Sequence, residues 1–284
     1  MKFAFIEEQR KNYPVRLMCR VLSVSSSGYY AWRNRKPSER ERANEALLPE
    51  IQAAYENSRC TYGSPRIQAE LQARGISCSR SRVARLMRKI GLKARCRRRY
   101  RVTTQAKDSH PVVANVLARD FTAQRPNQKW LADITYIDTH EGWLYLAAVL
   151  DVFSRRIVGW AMQKRMTTTL VADALQMALG QRQRLGDLLH HSDRGSQYTS
   201  HDYQKLLKSQ HITPSMSGTG NCYDNAMMES FFASLKAEYV TQRYATRDLA
   251  RRDIFEYIEV WYNRKRRHSA LGYLSPAAFE QLHL

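Results

Sequence analysis

QKWLADITYI, residues 128–137, is the stretch on which the fold turns. Its apolar and β-branched residues read as a strand, yet Asp133 sits in the middle, where a carboxylate has low strand propensity and is costly to bury alone. Downstream, WLYLAAVLDVFSRRIVGWAM (143–162) supplies two more strands joined at a polar turn, Ser154 and Arg155. TTTLVADALQMALGQRQ (167–183) reads as a capped amphipathic helix, and LLHHSD (188–193) as a short strand that delivers Asp193 to its exposed end. SHDYQKLLKSQ (200–210) is a helix and ITPSMS (212–217) a strand; the loop SGTGNCYDN (217–225) then leads into a long helix from about Asn225 to Val240. Strands first, with helix and strand alternating later, predict an α/β domain with a mixed sheet.

Upstream the pattern is helical. Residues 14–33, PVRLMCRVLSVSSSGYYAWR, read as two helices about a turn at Ser23 to Ser25, the second opened by a serine cap. A charged helical stretch follows, then YGSPRIQAELQARGISCSRSRVARLMRKIGLKAR. Here Ile67, Leu71, Ile76, Val83, Leu86, Met87 and Ile90 keep helical spacing on either side of a turn at Arg74 and Gly75. This second helix-turn-helix is the stronger of the two. Its second helix, beginning near Ser79, carries Arg80, Arg82, Arg85, Arg88 and Lys89 around an apolar stripe, the composition of a helix that reads a DNA groove. Arg97 and Arg98 extend the basic run into the linker RCRRRYRVTTQAKDSHP, and residues 80–101 hold eleven Lys and Arg with no acid.

The charge balance agrees. The formal net charge is +20, and the first 110 residues hold 25 Lys and Arg against 9 Asp and Glu. A polyanion, above all double-stranded DNA, is the partner this predicts. No run approaches the ~18 apolar residues of a membrane span, and the N-terminus lacks a signal-peptide core, so a cytoplasmic, nucleoid-associated protein is expected. Cys19, Cys60, Cys78, Cys96 and Cys222 are odd in number and form no C-x-x-C pair, which argues against a disulfide framework or a structural zinc site.

Three acids sit oddly for packing: Asp133, Asp193 and Glu229. Glu229 lies early in a helix whose core stripe is Met228, Phe232, Leu235 and Tyr239, and at 100° per residue it stands about 20° from Lys236, both flanking that stripe. Two aspartates from strands and a glutamate from a helix suit oxygen-only ligation of two Mg²⁺ ions, with Mn²⁺ as substitute, for in-line displacement at a phosphodiester. Taken singly, each acid reads better as a surface or salt-bridged residue than as a ligand. Asp151 is read as structural, facing Arg155 or Arg156. Of His190 and His191, one is expected to pack and the other to hydrogen-bond, and Trp130 and Tyr136 to be core or wall.

RPNQKWLADITYI, LDVFSRRIVGWAM, HHSDRGSQYTS, GNCYDNAMMESFFASLKAE and YNRKRRHSALGYLSPAAF together resemble the catalytic subunit of IS3-family insertion-sequence transposases, members of the retroviral integrase superfamily with its DDE triad. The 35 residues between Asp193 and Glu229 are the family's spacing. The resemblance implies an RNase H-like integrase catalytic core with Asp133, Asp193 and Glu229 as catalytic, metal-binding residues. It also implies Lys236 as a DNA-end contact and SGTGNCYDN as the mobile loop before the catalytic helix. Arg264 and Arg266, after the apolar helix near the C-terminus, suit backbone contact with DNA. Four segments are expected: an N-terminal helix-turn-helix (1–38), a second with the basic linker (39–110), the core (111–240) and a basic helical extension (241–284). The implied activity is a DNA transposase that binds terminal inverted repeats, cleaves a strand and transfers it to target DNA. It would act as a homo-oligomer on paired ends, with an upstream helix-turn-helix/leucine-zipper protein or fusion as a further partner. The rival readings are a non-catalytic DNA-binding regulator and a structure-specific nuclease using the same triad.

Overall fold

The computed structural model describes residues 1–95, 113–183, 186–218 and 225–283. They form two compact units, Met1–Ala53 and Ala54–Leu284. In the first, α1 (Lys2–Gln9), α2 (Val15–Val21) and α3 (Ser26–Arg33) enclose Ile6, Met18, Cys19 and Tyr29. The α2–α3 turn forms as the serines predict: Ser23 takes φ 52° and the Ser25 hydroxyl accepts from the Gly28 N–H. α4 (Glu39–Asn57) runs across the boundary between the units.

The second unit begins with the second helix-turn-helix, α5 (Ser64–Ala73) and α6 (Arg80–Lys89). Gly75 supplies the left-handed turn at φ 78°, and the Ser79 hydroxyl caps α6 by accepting from the Arg82 N–H. Ile67, Leu71, Val83, Leu86 and Met87 bury, as their spacing requires.

The sheet has the order β3-β2-β1-β4-β5. β1 (Lys129–Ile137), β2 (Leu144–Asp151) and β3 (Ile157–Gln163) form an antiparallel meander, while β4 (Leu188–Ser192) and β5 (Ile212–Met216) join parallel to β1. This is the mixed sheet of the RNase H-like arrangement. α7 (Thr168–Gln181) covers one face, packing on Trp130, Ala132, Ala147, Val149 and Val158. It comes so close to β3 that a Cβ on Gly159 would lie 2.2 Å from the Ala174 carbonyl oxygen. The expected side-chain cap of α7 does not form; the Thr167 hydroxyl donates to Gln163 Oε1 instead. The short α8 (Ser196–Thr199) and α9 (His201–Ser209) precede β5, and α10 (Ala226–Glu238) crosses the other side of β1.

The C-terminal segment packs against the sheet and α5. α11 (Arg247–Phe255) continues as a π-helix (Glu256–Tyr262), followed by a 3-10 turn (Ser269–Leu271) and α12 (Pro276–His283). Asn263 brackets Ile157 of β3, accepting from its N–H and donating to its C=O. Glu280 of α12 meets Arg156 and Arg182, and Arg267 binds Glu70 of α5 at 2.7 Å. Residues 39–53 of the segment expected at 39–110 fall in the first unit, and the described residues from Ala54 onward, from all three later segments, fall in the second. No helix among the described residues is long and apolar enough to cross a membrane.

Candidate active site

The strand register places the two aspartates. β4 pairs with β1 only from Lys129↔Leu189 to Leu131↔His191. Asp133 and Asp193 each lie two residues beyond the last pair, so they stand level where the parallel ladder ends and the β1 edge opens. Neighbouring strands run about 4.8 Å apart, which sets the scale of their approach. Asp193 Oδ1 accepts from the Gly195 N–H at 2.9 Å, and an added Cβ on Gly195 would meet that oxygen at 3.0 Å. Asp133 Oδ1 accepts from the Ile134 N–H at 2.7 Å.

α10 supplies the third acid. Besides the stripe expected from sequence, it buries Met227, Phe231, Ser234 and Glu238 against the C-terminal segment, so two faces are covered. Glu229 remains exposed and Lys236 half-buried on the face left open. The Lys236 ammonium lies 4.8 Å from the centroid of the Tyr136 ring, which is itself exposed and edge-on to Trp143. Tyr136 thus forms part of an open rim, whereas Trp130 is core as expected.

The electrostatics show that the three acids share one field. Burial, then the charge of Asp193, pushes the Asp133 carboxyl up to about 8; Glu229 adds to the rise, while the Ile134 N–H and Lys236 oppose it. Asp193 and Glu229 reach solvent on the open side, yet the protein atoms around them displace enough water to raise both. Burial pulls the Lys236 ammonium down, with the Asp133 charge working against it.

Among the described residues, no group of three or more His, Cys, Asp or Glu side chains forms a ready metal cage. The donor set nevertheless fits a hard divalent cation in kind: burial and the neighbouring acids make an ionised Asp133 costly, which a cation would relieve, and every candidate ligand is a carboxylate oxygen. Mg²⁺ needs only one or two carboxylates when it keeps waters and gains substrate phosphates. Asn225, which the sequence reading used only to mark the start of the helix, donates from Nδ2 to the Ala132 carbonyl at 3.3 Å and ties the start of α10 to β1 beside Asp133. A polar residue at the mouth of a loop carries no mark of such a tie.

Other expected site residues fall elsewhere. His190 and His191 are both buried and both hydrogen-bonded: His190 Nε2 pairs with the Tyr203 hydroxyl, and His191 bridges the hydroxyls of Ser215 and Ser217. Asp151 is structural, but its partner is Arg182 rather than Arg155 or Arg156, and it accepts from the N–H groups of Asn127 and Phe153. Arg80, Arg85, Arg88 and Lys89 are exposed on α6, with Arg82 partly covered. Arg264 is exposed, but Arg266 is only 2% exposed and is locked to Glu238 at 2.6 Å, so the expectation that it contacts DNA from the surface is corrected. Arg97, Arg98 and most of the SGTGNCYDN loop lie outside the described residues.

Three family models match the chain: an HTH-like domain over residues 41–100, and two described as integrase core domain over 123–222 and 210–276. The chain is 48% identical over 265 residues to an uncharacterized 31 kDa protein of insertion element IS600 from Shigella sonnei, covering 93% of this chain and 97% of that one. It is 45% identical over 287 residues to the transposase InsF for insertion sequence IS3A of Escherichia coli (strain K12), covering 100% of both. Among solved structures it is similar to the HTLV-2 integrase catalytic core domain in complex with magnesium, at TM-score 0.44 and 16% identity, covering 56% of this chain and 99% of that one.

Proposed function

The chain belongs to the IS3-type insertion-sequence transposases with an integrase core, and from that premise we propose that Asp133, Asp193 and Glu229 are the triad with which it cuts and rejoins DNA. The observation that carries the assignment is the level placement of Asp133 and Asp193 at the open edge of β1, with Glu229 acting on the same field. The reaction is cleavage of one strand at an element end by water, then attack of the freed 3′-hydroxyl on a second phosphodiester. Both steps displace an alcohol at phosphorus, so one set of acids serves both.

Asp133 and Asp193 would hold the cations from the sheet and Glu229 from α10. Two Mg²⁺ ions, or Mn²⁺ in their place, would supply Lewis acidity at the phosphorus and lower the pKa of the attacking hydroxyl. Lys236, on the same rim, offers its ammonium to the DNA end. α6 supplies the groove-reading helix, with Arg80, Arg85, Arg88 and Lys89 facing outward. Terminal inverted repeats and target DNA are the substrates, a homo-oligomer on paired ends is the working form, and a nucleoid-associated cytoplasmic setting follows from the substrate. An upstream helix-turn-helix/leucine-zipper protein or fusion would complete the assembly.

The deciding assay incubates the chain, with any upstream partner, Mg²⁺ and labelled end DNA, beside Asp193→Asn. The triad reading expects joined strands from the parent and a loss of at least about 10³-fold in the variant, the order of several kcal/mol of transition-state stabilisation. Hydrolysed ends without joining would favour the nuclease, and equal products from both proteins would remove the triad from the chemistry.

A further inference from the structure

We propose that Tyr136 and Trp143 form a platform on which a nucleobase stacks: a base, opened from the duplex, that neighbours the phosphodiester held at the three acids. That the occupant is DNA rests on the reading of those acids as a DNA-cutting triad. Singly exposed aromatics are ordinary on a protein surface. Here two meet: Tyr136 is 51% and Trp143 47% exposed, with ring centroids 5.0 Å apart and planes at 77°.

The pair stands at a gap in the sheet. β4 leaves the edge of β1 after Leu131. The chain beyond α10 meets that edge again only at Asp138 to His140, where the Tyr244 N–H donates to the Asp138 carbonyl and the His140 N–H to the Tyr244 carbonyl. Between these contacts no described strand pairs with the edge, and Asp133 and Tyr136 both lie in the gap. The Ile134 N–H, which faces this edge, is taken by Asp133 Oδ1. Strand alternation would turn Tyr136 toward α7 and Asp133 toward α10. The Tyr136 ring nevertheless meets the Lys236 ammonium of α10 at 4.8 Å, and the same charge acts on Asp133, so the ring stands at the gap rather than behind the sheet. Three residues of strand put the two side chains about 10 Å apart along β1.

The turn that carries Trp143 is tied down. Arg247 of α11 donates its Nε to the Trp143 carbonyl at 3.2 Å and its N–H to Glu141 Oε2 at 2.8 Å, and Arg243 meets Asp138 at 3.1 Å. These ties engage both acids of the turn and fix the backbone of Trp143 while its ring stays half in water. A pre-fixed ring loses little freedom when a ligand stacks on it. An apolar protein segment would also cover two rings, but it has no use for the ammonium laid against Tyr136. A nucleotide uses every part: its base on the rings, its phosphate toward Lys236, and the next phosphodiester at the acids. In a duplex both faces of a base are covered, so only an opened base stacks here.

Fluorescence anisotropy of labelled end DNA without divalent cation tests this with the full chain and any upstream partner. The base pairs flanking the cleavage junction are matched, mismatched or abasic. The parent is expected to bind the mismatched end more tightly than the matched or the abasic one. Tyr136→Ala and Trp143→Ala should each weaken binding to the mismatched end by about 5- to 150-fold, the range for one lost base–aromatic stack, and barely alter binding to the other two. Tyr136→Phe and Trp143→Phe, which keep a ring, should retain the preference. Equal losses on all three ends, or none on any, would overturn the platform and return the pair to a protein contact. Without cation the readout does not depend on cutting. Base-dependent binding by a parent that leaves DNA uncut in Mg²⁺ would keep the platform and sink the triad, whereas a parent that cuts and joins DNA without base dependence would sink the platform alone.

Discussion

Asp133, in the triad proposed above, shows how a buried acid can weigh against the fold that carries it. Its carboxyl ionises near 3.8 when unperturbed, and burial with two neighbouring acids pushes it up to about 8 in the folded chain. An acid whose folded value is raised leaves stability intact below the unfolded value and removes it progressively as pH climbs through the folded one. Without a divalent cation, Asp133→Asn should therefore gain on the parent as pH rises from 5 to 8. The expected increase in the Tm difference is at least ~2–4 °C, the shift that ~1 kcal/mol produces in a domain of this size. Adding Mg²⁺ should then raise the parent's Tm and close part of the gap, since the cation compensates the charge that asparagine removes. Scanning calorimetry at the two pH values checks this; a difference independent of pH would mean that Asp133 is ordinarily ionised and the acids do not share a field.

At the scale of elements, α10 is set between the sheet and the C-terminal segment, and its far end is fastened by an ion pair. Arg266 donates to Glu238 through Nε and Nη2, at 2.6 to 3.0 Å, with both side chains almost wholly buried. Removing one partner of such a pair strands the other without water, at a cost of about 3–5 kcal/mol, whereas replacing both by neutral groups of similar volume costs much less. Urea unfolding should show Arg266→Ala losing about that amount and Glu238→Gln with Arg266→Met losing less than the sum of the single changes; a loss under ~1 kcal/mol would put the pair on a par with exposed ones. This pair also shows where sequence reading stops. The turns at Ser23 and Gly75, the Ser25 and Ser79 caps and the strand around Asp133 are local signals, and each was legible. The partner of Arg266 lies 28 residues upstream and that of Asp151 31 residues downstream, so a run such as RKRR looks uniformly available for DNA. The second buried stripe of α10 was hidden for the same reason: Met227, Phe231, Ser234 and Glu238 acquire a neighbour only once the C-terminal segment folds back.

On the scale of the whole molecule, the question is how the proposed groove-reading helix and the proposed cleavage site are held together. The second helix-turn-helix is stitched into the body that carries the cleft: the Tyr62 hydroxyl accepts from the Arg267 N–H, Arg59 pairs with Glu256, and Arg95 donates to the Glu238 carbonyl at the end of α10. α6 therefore stands in one fixed frame with Glu229, and its outward arginines can bind DNA without taking part in the chemistry. Arg85 and Arg88 are exposed, and none of the ion pairs described for this helix-turn-helix involves them. Each phosphate neutralised by a cation contributes about 0.9 to the slope of log K against log salt on duplex DNA. Changing both arginines to glutamine should thus reduce that slope by up to ~1.8 for end DNA, and should do so equally in the parent and in an Asp193→Asn background. If either arginine reads a base edge instead, the loss will be ~1–3 kcal/mol on the cognate repeat and smaller on unrelated DNA. An unchanged slope with unchanged affinity would take α6 off the DNA and return the grip to the basic residues between α6 and β1.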